Sequence, residues 1–256
     1  MMKTYGKATA IVVLTFILSG PVLPAHAGEE AKEDKPTVNL SVDVLSQYLW
    51  RGYALSSDSA VLQPSATVSY KGFSLNLWGN FDTDEALPNK GARWNETDFT
   101  FSYARELFKG FNATVGGTYY SLVNSRYDSV EVFGGVSYAF PWVTVGVTGY
   151  REVSHSPGWW VQMDLSKNFP LPCYGLSLDL GASLGYLVLE DSNYSEFHAG
   201  QVFGALNIPL GKYFTVSPRV GVSFPLSDGA RREIETVSWD GEDTHVFGGI
   251  RLSAAF

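Results

Sequence analysis

The sequence predicts an all-β protein, a transmembrane antiparallel up-and-down β-barrel of about 12 strands. Three observations lead to this prediction. Apolar and polar residues alternate with a period of two along most of the chain after residue 37. The connections between these segments are alternately short and long. Aromatic residues concentrate at the ends of the predicted strands. Such a pattern is typical of strands that cross a bilayer, with tight turns on one side and loops on the other.

The amino-terminus predicts export from the cytoplasm. Lys3 and Lys7 precede an apolar run over residues 8–18, and small residues flank His26 in an A-x-A cleavage pattern. We interpret residues 1–27 as a secretory signal peptide. A membrane anchor is the alternative, which the short apolar run disfavours. Residues 28–37 are charged and predict a short disordered periplasmic lead, so the predicted barrel comprises residues 38–256.

Composition excludes several functions. The chain has 26 acidic and 18 basic residues, a formal charge of −8, which argues against nucleic acid as a partner and suggests a weak preference for cations. Cys173 is the one cysteine, so no disulfide forms within the chain, and we interpret it as an incidental thiol in a turn. After residue 27 the sequence predicts neither a spanning helix nor an amphipathic one.

Apolar residues two positions apart justify the predicted strands, beginning with Val38, Leu40 and Val42, except for strand 195–208, whose phase the alternation does not settle. The predicted strands are residues 38–50, 61–70, 73–82, 96–103, 111–119, 130–138, 143–150, 159–166, 176–186, 195–208, 214–224 and 244–256. Short turns are predicted at 71–72, 106–110, 140–141, 169–175 and 209–213, and long loops at 54–60, 83–92, 124–128, 154–158, 190–194 and 227–243. Pro218 cannot donate to a strand ladder and predicts a bulge or a local gap.

Aromatic residues predict two girdles at the membrane interfaces. On the turn side these are Tyr70, Phe73, Tyr103, Phe108, Phe111, Tyr138, Phe140, Trp142, Phe169, Tyr174, Tyr213, Phe214 and Phe256. On the loop side they are Tyr48, Trp50, Phe81, Trp94, Tyr119, Tyr120, Tyr150, Trp159, Trp160, Tyr186 and Phe224.

The final strand alternates apolar Val246, Ile250 and Leu252 with polar His245 and Arg251. It ends on Phe256 and resembles the carboxy-terminal strand that the barrel-assembly machinery of the outer membrane reads. Unpaired backbone groups are not tolerated in hydrocarbon, so this strand should close the barrel against the first strand. An even number of strands places both termini on the periplasmic side.

The segment Ser46-Gln47-Tyr48-Leu49-Trp50-Arg51-Gly52 is the most specific motif of the chain. With the hairpin around Lys71-Gly72-Phe73, this S-x-Y-L-W-R-G segment resembles the TorF-like (Gcw_chp) family of proteobacterial outer-membrane proteins. The resemblance extends from the first strand to Phe256. It implies a barrel in the outer membrane of a Gram-negative bacterium, described as a porin, and supplies no catalytic residues. Ala254 occupies a position where such barrels often have a second aromatic.

Charged and amide side chains on the polar face of the strands are the candidate site. The predicted lumen-facing residues are Asp43, Asn76, Asp82, Glu96, Asp98, Glu131, Asp164, Asp179, Arg219 and Arg251. Opposed charges in a lumen set the ion preference of a channel. The sequence therefore predicts a narrow passive channel for ions or small solutes with slight cation preference. The alternative is a lumen sealed by salt bridges, with a binding or structural role for loop 227–243 and the acidic residues 82–85.

A lipid-modifying hydrolase is the remaining alternative, and it rests on His155 with Ser156, on His198 and on His245. Adjacent residues of an extended chain point to opposite faces, which disfavours activation of Ser156 by His155. The one G-x-S-x-G match, Gly181 to Gly185, lies within a predicted strand and not at the strand-to-helix turn of a nucleophile elbow. We therefore expect no enzymatic activity, no cofactor and no dedicated metal site. Outer-membrane lipids are the expected surroundings.

Overall fold

The computed structural model describes residues 35–85, 91–123, 125 and 127–256. Twelve strands form one closed antiparallel barrel, which confirms the predicted fold class. The predicted signal peptide, and the predicted lead as far as residue 34, lie outside the described residues.

The strands follow one another around the wall in chain order. The elements are β1 Thr37–Leu45, β2 Leu49–Trp50, β3 Tyr53–Ala54, β4 Val61–Tyr70, β5 Phe73–Glu85, β6 Gly91–Phe108, β7 Phe111–Leu122, β8 Ser129–Ala139, β9 Thr144–Glu152, β10 Gly158–Pro170, β11 Ser177–Leu189, β12 Tyr194–Leu210, β13 Phe214–Pro225, α1 Asp228–Val237 and β14 His245–Ala255. Strands β2 and β3 form a small separate hairpin, and the other 12 strands are the staves of the barrel.

The barrel closes where β1 pairs with β14, as the sequence predicts. Asp43 lies opposite Arg251 in this register, and β1 pairs with β4 along its other edge. At the turn side, Val38 and Phe256 exchange two backbone hydrogen bonds of 3.0 and 2.9 Å. The closed wall has no free strand edge, as a hydrocarbon environment requires.

The predicted first strand, residues 38–50, is wrong at its end. β1 ends at Leu45, and Leu49–Trp50 pairs instead with Tyr53–Ala54. The loop between β1 and β4 therefore begins at residue 46 and folds back inside the barrel. Residues 46–50 alternate as the end of a longer strand would. Periodicity alone therefore does not distinguish one long strand from a shorter strand followed by a loop.

The outer surface of the barrel is an apolar band between aromatic girdles. Exposed apolar residues from every part of the wall form the band, among them Leu40, Val68, Leu75, Phe99, Val115, Val132, Val147, Val161, Leu180, Val202, Val220 and Ile250. Exposed girdle residues include Tyr70, Phe73, Phe108, Trp142, Phe169, Tyr213 and Phe256 on the turn side, and Trp94, Tyr119 and Trp159 on the loop side. Within the described part of the chain, no helix is both long and apolar enough to cross a membrane.

Five aromatics predicted for the loop-side girdle lie inside the barrel instead, and one of them is Trp50 of the β2–β3 hairpin, which packs against Tyr120. Tyr48, Tyr120, Tyr150 and Trp160 are all buried, the most exposed of them at 7%. Neighbouring residues of a strand face opposite sides, so Tyr119 and Trp159 point outward while Tyr120 and Trp160 must point inward. The inner wall makes room for these rings with glycines. A Cβ atom on Gly185, for example, would lie 1.9 Å from the Trp160 ring.

Helix α1 corrects the prediction of a helix-free loop at 227–243. Ser227 caps it, because its hydroxyl accepts a 3.0 Å hydrogen bond from the Ala230 backbone N–H. Ala230 and Ile234, four residues apart, are its buried residues. The helix packs against β12, β13 and β3. Ala230, Ile234 and Val237 follow the helical spacing i, i+4, i+7 after the cap residue Ser227, so the sequence carries the signal of this helix and the prediction missed it.

Smaller differences concern strand lengths and Pro218. Strand β5 extends to Glu85 and β6 begins at Gly91, so the predicted loop 83–92 is shorter. Strand β6 also extends to Phe108, into the predicted turn 106–110. The β12–β13 ladder is interrupted between the pairs Ala205–Arg219 and Ile208–Val216, which confirms the predicted gap at Pro218.

We expect Gly249→Ala to destabilise the barrel and Gly248→Ala to change it little. A Cβ atom on Gly249 would lie 2.1 Å from the Val44 carbonyl oxygen, which belongs to the closing seam. A Cβ atom on Gly248 has its nearest neighbour at 3.4 Å. Overpacking costs about 1–3 kcal/mol. Urea unfolding of the refolded protein, followed by tryptophan fluorescence, measures both, and equal midpoints for the two variants would contradict the expectation.

Candidate functional site

The first group of predicted lumen residues forms an ion triad at the closing seam. Asp43 of β1 is fully buried and lies between Arg251 of β14 and Arg219 of β13. Arg251 donates from Nε at 3.0 Å and from Nη2 at 2.9 Å, and Arg219 Nη1 donates at 3.2 Å. Buried charges require partners of this kind. The triad joins the first strand to the last two.

Two predicted residues near the turn-side end belong to hydrogen-bond networks. Asp179 accepts 2.6 Å hydrogen bonds from Asn168 and from Asn207. Asn76 donates to the hydroxyls of Ser65 and Thr67, both at 2.8 Å. These networks bridge neighbouring strands across the inner wall. Their groups satisfy one another along the inner wall.

Asp82 and Asp164 have fewer partners. Oδ1 of Asp82 accepts a 3.0 Å hydrogen bond from the Asp84 backbone N–H, and its buried Oδ2 has no hydrogen-bond partner among the described residues. Oδ1 of Asp164 accepts a 2.7 Å hydrogen bond from Gln162. Neither carboxylate has a salt-bridge partner in the described part of the chain. Both are therefore acidic groups of the inner wall without a basic partner in the described part of the chain.

Glu96 and Glu131 hold the loop that connects β1 to β4, residues 46–60, which we call the inner loop. Tyr48 donates a 3.0 Å hydrogen bond to Glu96 of β6. Arg51 donates two hydrogen bonds, of 2.6 and 2.7 Å, to the two carboxylate oxygens of Glu131 on β8. Asp98 lies two residues after Glu96 on the same strand face, and Tyr120 donates to Glu131 at 2.9 Å. The inner loop therefore crosses to the wall opposite the seam.

Arg51 occupies the tip of the inner loop and is surrounded by aromatic rings. Its guanidinium lies 4.5 Å from the ring centroid of Trp50, 5.1 Å from Tyr150 and 5.4 Å from Trp160. Arg51 and Glu131 are nearly inaccessible, with side chains 7% and 6% exposed. A desolvated bidentate pair with stacked rings is a strong and directional contact.

The backbone at the tip is a tight two-residue turn between β2 and β3. Arg51 has φ 51° and Gly52 has φ 97°, the left-handed values that a type I′ hairpin requires. Arginine adopts such a φ at a cost, which the ion pair with Glu131 offsets. A Cβ atom on Gly52 would lie 2.8 Å from Cβ of Ala199, so glycine is also required for space.

Helix α1 and the residues after it hold the other strand of the hairpin. The Ala54 backbone N–H donates 3.1 Å to Ser238 Oγ, and the Trp239 N–H donates 2.9 Å to the Ala54 carbonyl. Tyr53 and Ile234 belong to one buried cluster with Phe133, Tyr150, Trp160, Leu187 and Ala199. The loop end of the lumen is thus packed around the inner loop.

Arg51 and Tyr48 of the inner loop each keep one protonation state. Burial disfavours the charge of Arg51, yet Glu131 raises the pKa of Arg51 above its ordinary value. Burial, and after it the charge of Glu96, raises the pKa of the Tyr48 hydroxyl well above its ordinary range. Arg51 therefore stays charged and Tyr48 stays a neutral donor.

A small, partly open cavity of about 40 Å³ lies beside the inner loop. Arg51, Tyr150 and Trp160 line one part of it. Polar residues of β10 to β13 line another part, namely Gln162, Ser183, Gln201 and Ser223. Sequence reasoning missed this site. Arg51 lies in the distinctive motif, but nothing in the sequence shows that the motif folds inward.

The three histidines of the hydrolase alternative occupy separate places. Nδ1 of His155 lies 3.2 Å from the Asp128 carbonyl oxygen. Nδ1 of His198 lies 2.7 Å from the Tyr194 hydroxyl. Nε2 of His245 lies 3.2 Å from an Asp240 carboxylate oxygen. None of these contacts involves Ser156. Within the described ranges, no group of three potential metal ligands comes together, and Cys173 is an exposed thiol.

No protein-family model matches the chain, and no curated protein matches it. Among solved structures, the chain is similar to KdgM porin with 10% identity and a TM-score of 0.52, over 85% of this chain and 98% of that one. It is similar to NanC porin with 9% identity and a TM-score of 0.53, over 86% and 98%. The shared feature is the barrel fold. At such low identity the likeness shows the fold alone.

We expect Glu131→Gln to loosen the inner loop, because it leaves the buried Arg51 without its charge partner. Breaking one side of a buried pair costs about 3–5 kcal/mol. Hydrogen exchange over residues 46–60 should accelerate in this variant. The double variant Arg51→Met with Glu131→Leu should recover part of the protection.

The exposed pair of Arg151 and Glu190 supplies the control. It is also bidentate, but its side chains are 26% and 43% exposed. Exposed pairs contribute little to stability, so Glu190→Gln should leave exchange at 46–60 unchanged. Equal acceleration in Glu131→Gln and Glu190→Gln would refute a specific role for the buried pair.

Proposed function

We propose that the protein is a narrow passive channel of the Gram-negative outer membrane, for ions or small solutes, with slight cation preference. The observation that carries this proposal is the inner loop. It narrows a closed barrel with a polar inner wall, and the Arg51–Glu131 ion pair holds it there. Barrels of this strand number are wider than those that side chains alone can fill and narrower than the open porins.

The inner loop supplies the narrowest part of the proposed pathway. Its contacts reach β6 through Tyr48, β8 through Arg51, and the segment after α1 through Ala54. A loop held on several sides of the wall restricts the cross-section without closing the other end of the barrel. The size of the solutes that pass would then depend on the width of the gap between the inner loop and the wall.

The cation preference rests on the excess of carboxylates over arginines on the inner wall. Asp43 offsets one of the two charges of Arg219 and Arg251, which leaves the triad with a net charge of about +1, and Glu131 neutralises Arg51. Asp164 and Asp82 have no cationic partner in the described part of the chain. Fixed negative charge that is not compensated attracts cations into a pore.

The proposed location and partners follow from the outside of the barrel. An apolar band with two aromatic girdles suits a bilayer of outer-membrane lipids. Phe256 stacks on Tyr213 at the turn-side girdle, with ring centroids 5.4 Å apart. That position agrees with recognition of the last strand by the barrel-assembly machinery. Membership of the TorF-like family stays a prediction, carried by the S-x-Y-L-W-R-G segment that forms the inner loop.

A sealed barrel with a binding or structural role is the second candidate, because the buried cluster around Ile234 packs the loop end densely. A lipid-modifying hydrolase has less support, because the contacts of His155 do not involve Ser156. We therefore propose that the protein is not an enzyme. Lipid hydrolysis that disappears in His155→Ala would contradict this.

We expect single-channel conductance from the refolded protein in planar bilayers, and a several-fold larger conductance for Arg51→Ala. Loss of the ion pair releases the tip of the inner loop from β8 and widens the passage. Arg151→Ala, which removes an exposed arginine outside the lumen, serves as the control. Absence of conductance from both the wild type and Arg51→Ala would favour the sealed barrel.

We further expect a reversal potential that indicates modest cation preference in a potassium chloride gradient. Asp164→Asn should lower that preference, because it removes an uncompensated lumen charge. Glu190→Gln, a loop-side change outside the lumen, should leave it unchanged. A wild-type reversal potential that favours anions would refute the proposed selectivity.

A further inference from the structure

The lysines of the barrel are concentrated at one end. Those within the described ranges all lie on the turn side, and they are Lys35, Lys71, Lys109, Lys167 and Lys212. Acidic residues dominate the loop side, where they include Asp58, Asp84, Asp128, Glu190, Asp191, Glu196, Asp228, Glu233, Glu235, Asp240, Glu242 and Asp243. In the described part of the chain, charge is therefore separated along the barrel axis, with a basic turn side and an acidic loop side.

Three basic residues form a patch on the turn-side rim, which we call the basic patch: Lys71 in the β4–β5 turn, Arg105 near the end of β6, and Lys109 in the β6–β7 turn. All three are exposed. The Ala104 backbone N–H donates a 2.9 Å hydrogen bond to the Gly72 carbonyl, which places the first of these turns beside Arg105. Neighbouring strands lie about 4.8 Å apart, so long side chains from these positions can reach one anionic group.

The basic patch lies at the edge of the apolar band. Arg105 follows Tyr103 on the outward face of β6, and the Tyr103 ring packs on Phe73 of β5 with centroids 4.7 Å apart. Phe108 and Phe111 stack beside Lys109 with centroids 4.6 Å apart. Aromatic girdles lie at the level of lipid headgroups. The charged ends of the patch therefore lie at the depth of lipid phosphates, with their aliphatic stems along the aromatic rings.

No carboxylate neutralises the patch in the described part of the chain. None of its three residues forms a salt bridge with a described residue. Glu106 is adjacent to Arg105 in the chain, so it faces the inner side of the strand. Its carboxylate accepts a 2.7 Å hydrogen bond from the Gly110 backbone N–H. The positive charges of the patch are therefore left for an anion from outside the protein.

We propose that the basic patch binds the phosphate group of an anionic phospholipid in the membrane leaflet on the turn side. Lys71, Arg105 and Lys109 hold the phosphate, and the acyl chains lie against the apolar band beside Phe73 and Phe108. A free phosphate ion has the same charge but gains no apolar contact, so the position of the patch favours a lipid. This inference rests on the proposed membrane location and is independent of conduction.

Native mass spectrometry of the refolded protein in detergent, titrated with phosphatidylglycerol, measures the binding of single lipids. The wild type should bind phosphatidylglycerol more tightly than phosphatidylcholine with the same acyl chains, because choline compensates the phosphate charge. A triple variant with Lys71→Asn, Arg105→Gln and Lys109→Gln should bind phosphatidylglycerol about tenfold or more weakly. Asparagine tolerates the φ of 49° at position 71. Circular dichroism verifies that each variant is folded.

A loop-side triple variant with Arg151→Gln, Arg231→Gln and Arg232→Gln is the matched control, because it removes the same number of positive charges from the other end. It should bind phosphatidylglycerol like the wild type, as should Lys109→Arg, which keeps the charge of the patch. Inorganic phosphate should not displace the lipid. Equal weakening in the two triple variants, displacement by phosphate, or a wild type without preference for phosphatidylglycerol would overturn the proposal.

Conductance separates this inference from the proposed channel. The triple variant of the basic patch keeps the inner loop and the lumen, so its single-channel conductance should equal that of the wild type. Conductance without a preference for phosphatidylglycerol would overturn the lipid site and leave the channel. Preferential lipid binding without conductance would overturn the channel and leave the lipid site on a sealed barrel.

Discussion

The requirement that every backbone N–H and C=O group be paired in hydrocarbon governs this structure. Strands can satisfy it only by closing on themselves, and β1 and β14 complete the circle. Once the wall is closed, the alternation of side chains separates an apolar outside from a polar inside. The interior of a 12-stranded barrel is too wide for wall side chains alone to fill. The inner loop and α1 occupy the loop end of that interior.

The inner loop is held by interactions that differ from those of the wall. Its stability comes from the buried Arg51–Glu131 pair, stacked aromatic rings and two hydrogen bonds at Ala54. A buried ion pair gains little net stability over apolar packing, but it is demanding in geometry. The left-handed φ of Arg51 adds to that cost. Such a contact defines one position of the loop, as the proposed constriction would require.

The periodicity of the sequence was sufficient to predict the strands of the barrel. It was insufficient to predict which residues occupy the interior of the barrel. Most strands of the wall could be predicted because they satisfy a local rule of alternation, although the phase of β12 did not follow from it. The placement of Tyr120 and Trp160 could not be predicted from aromatic position along the strand, since their neighbours Tyr119 and Trp159 form the girdle. The lumen candidates were selected by strand phase alone. Strand phase does not identify the partners of these residues. Glu131, for example, pairs with Arg51, which is 80 residues away in the chain, and no local sequence pattern indicates a contact between residues so far apart.

The ion triad of Asp43, Arg219 and Arg251 has a consequence for assembly. It links the first stave to the last two, so none of its contacts exists until the chain is complete. A slip of β1 by one residue would turn the Asp43 carboxylate toward lipid and leave two arginines without their anion. The triad can therefore form only when both ends of the chain meet in the correct register.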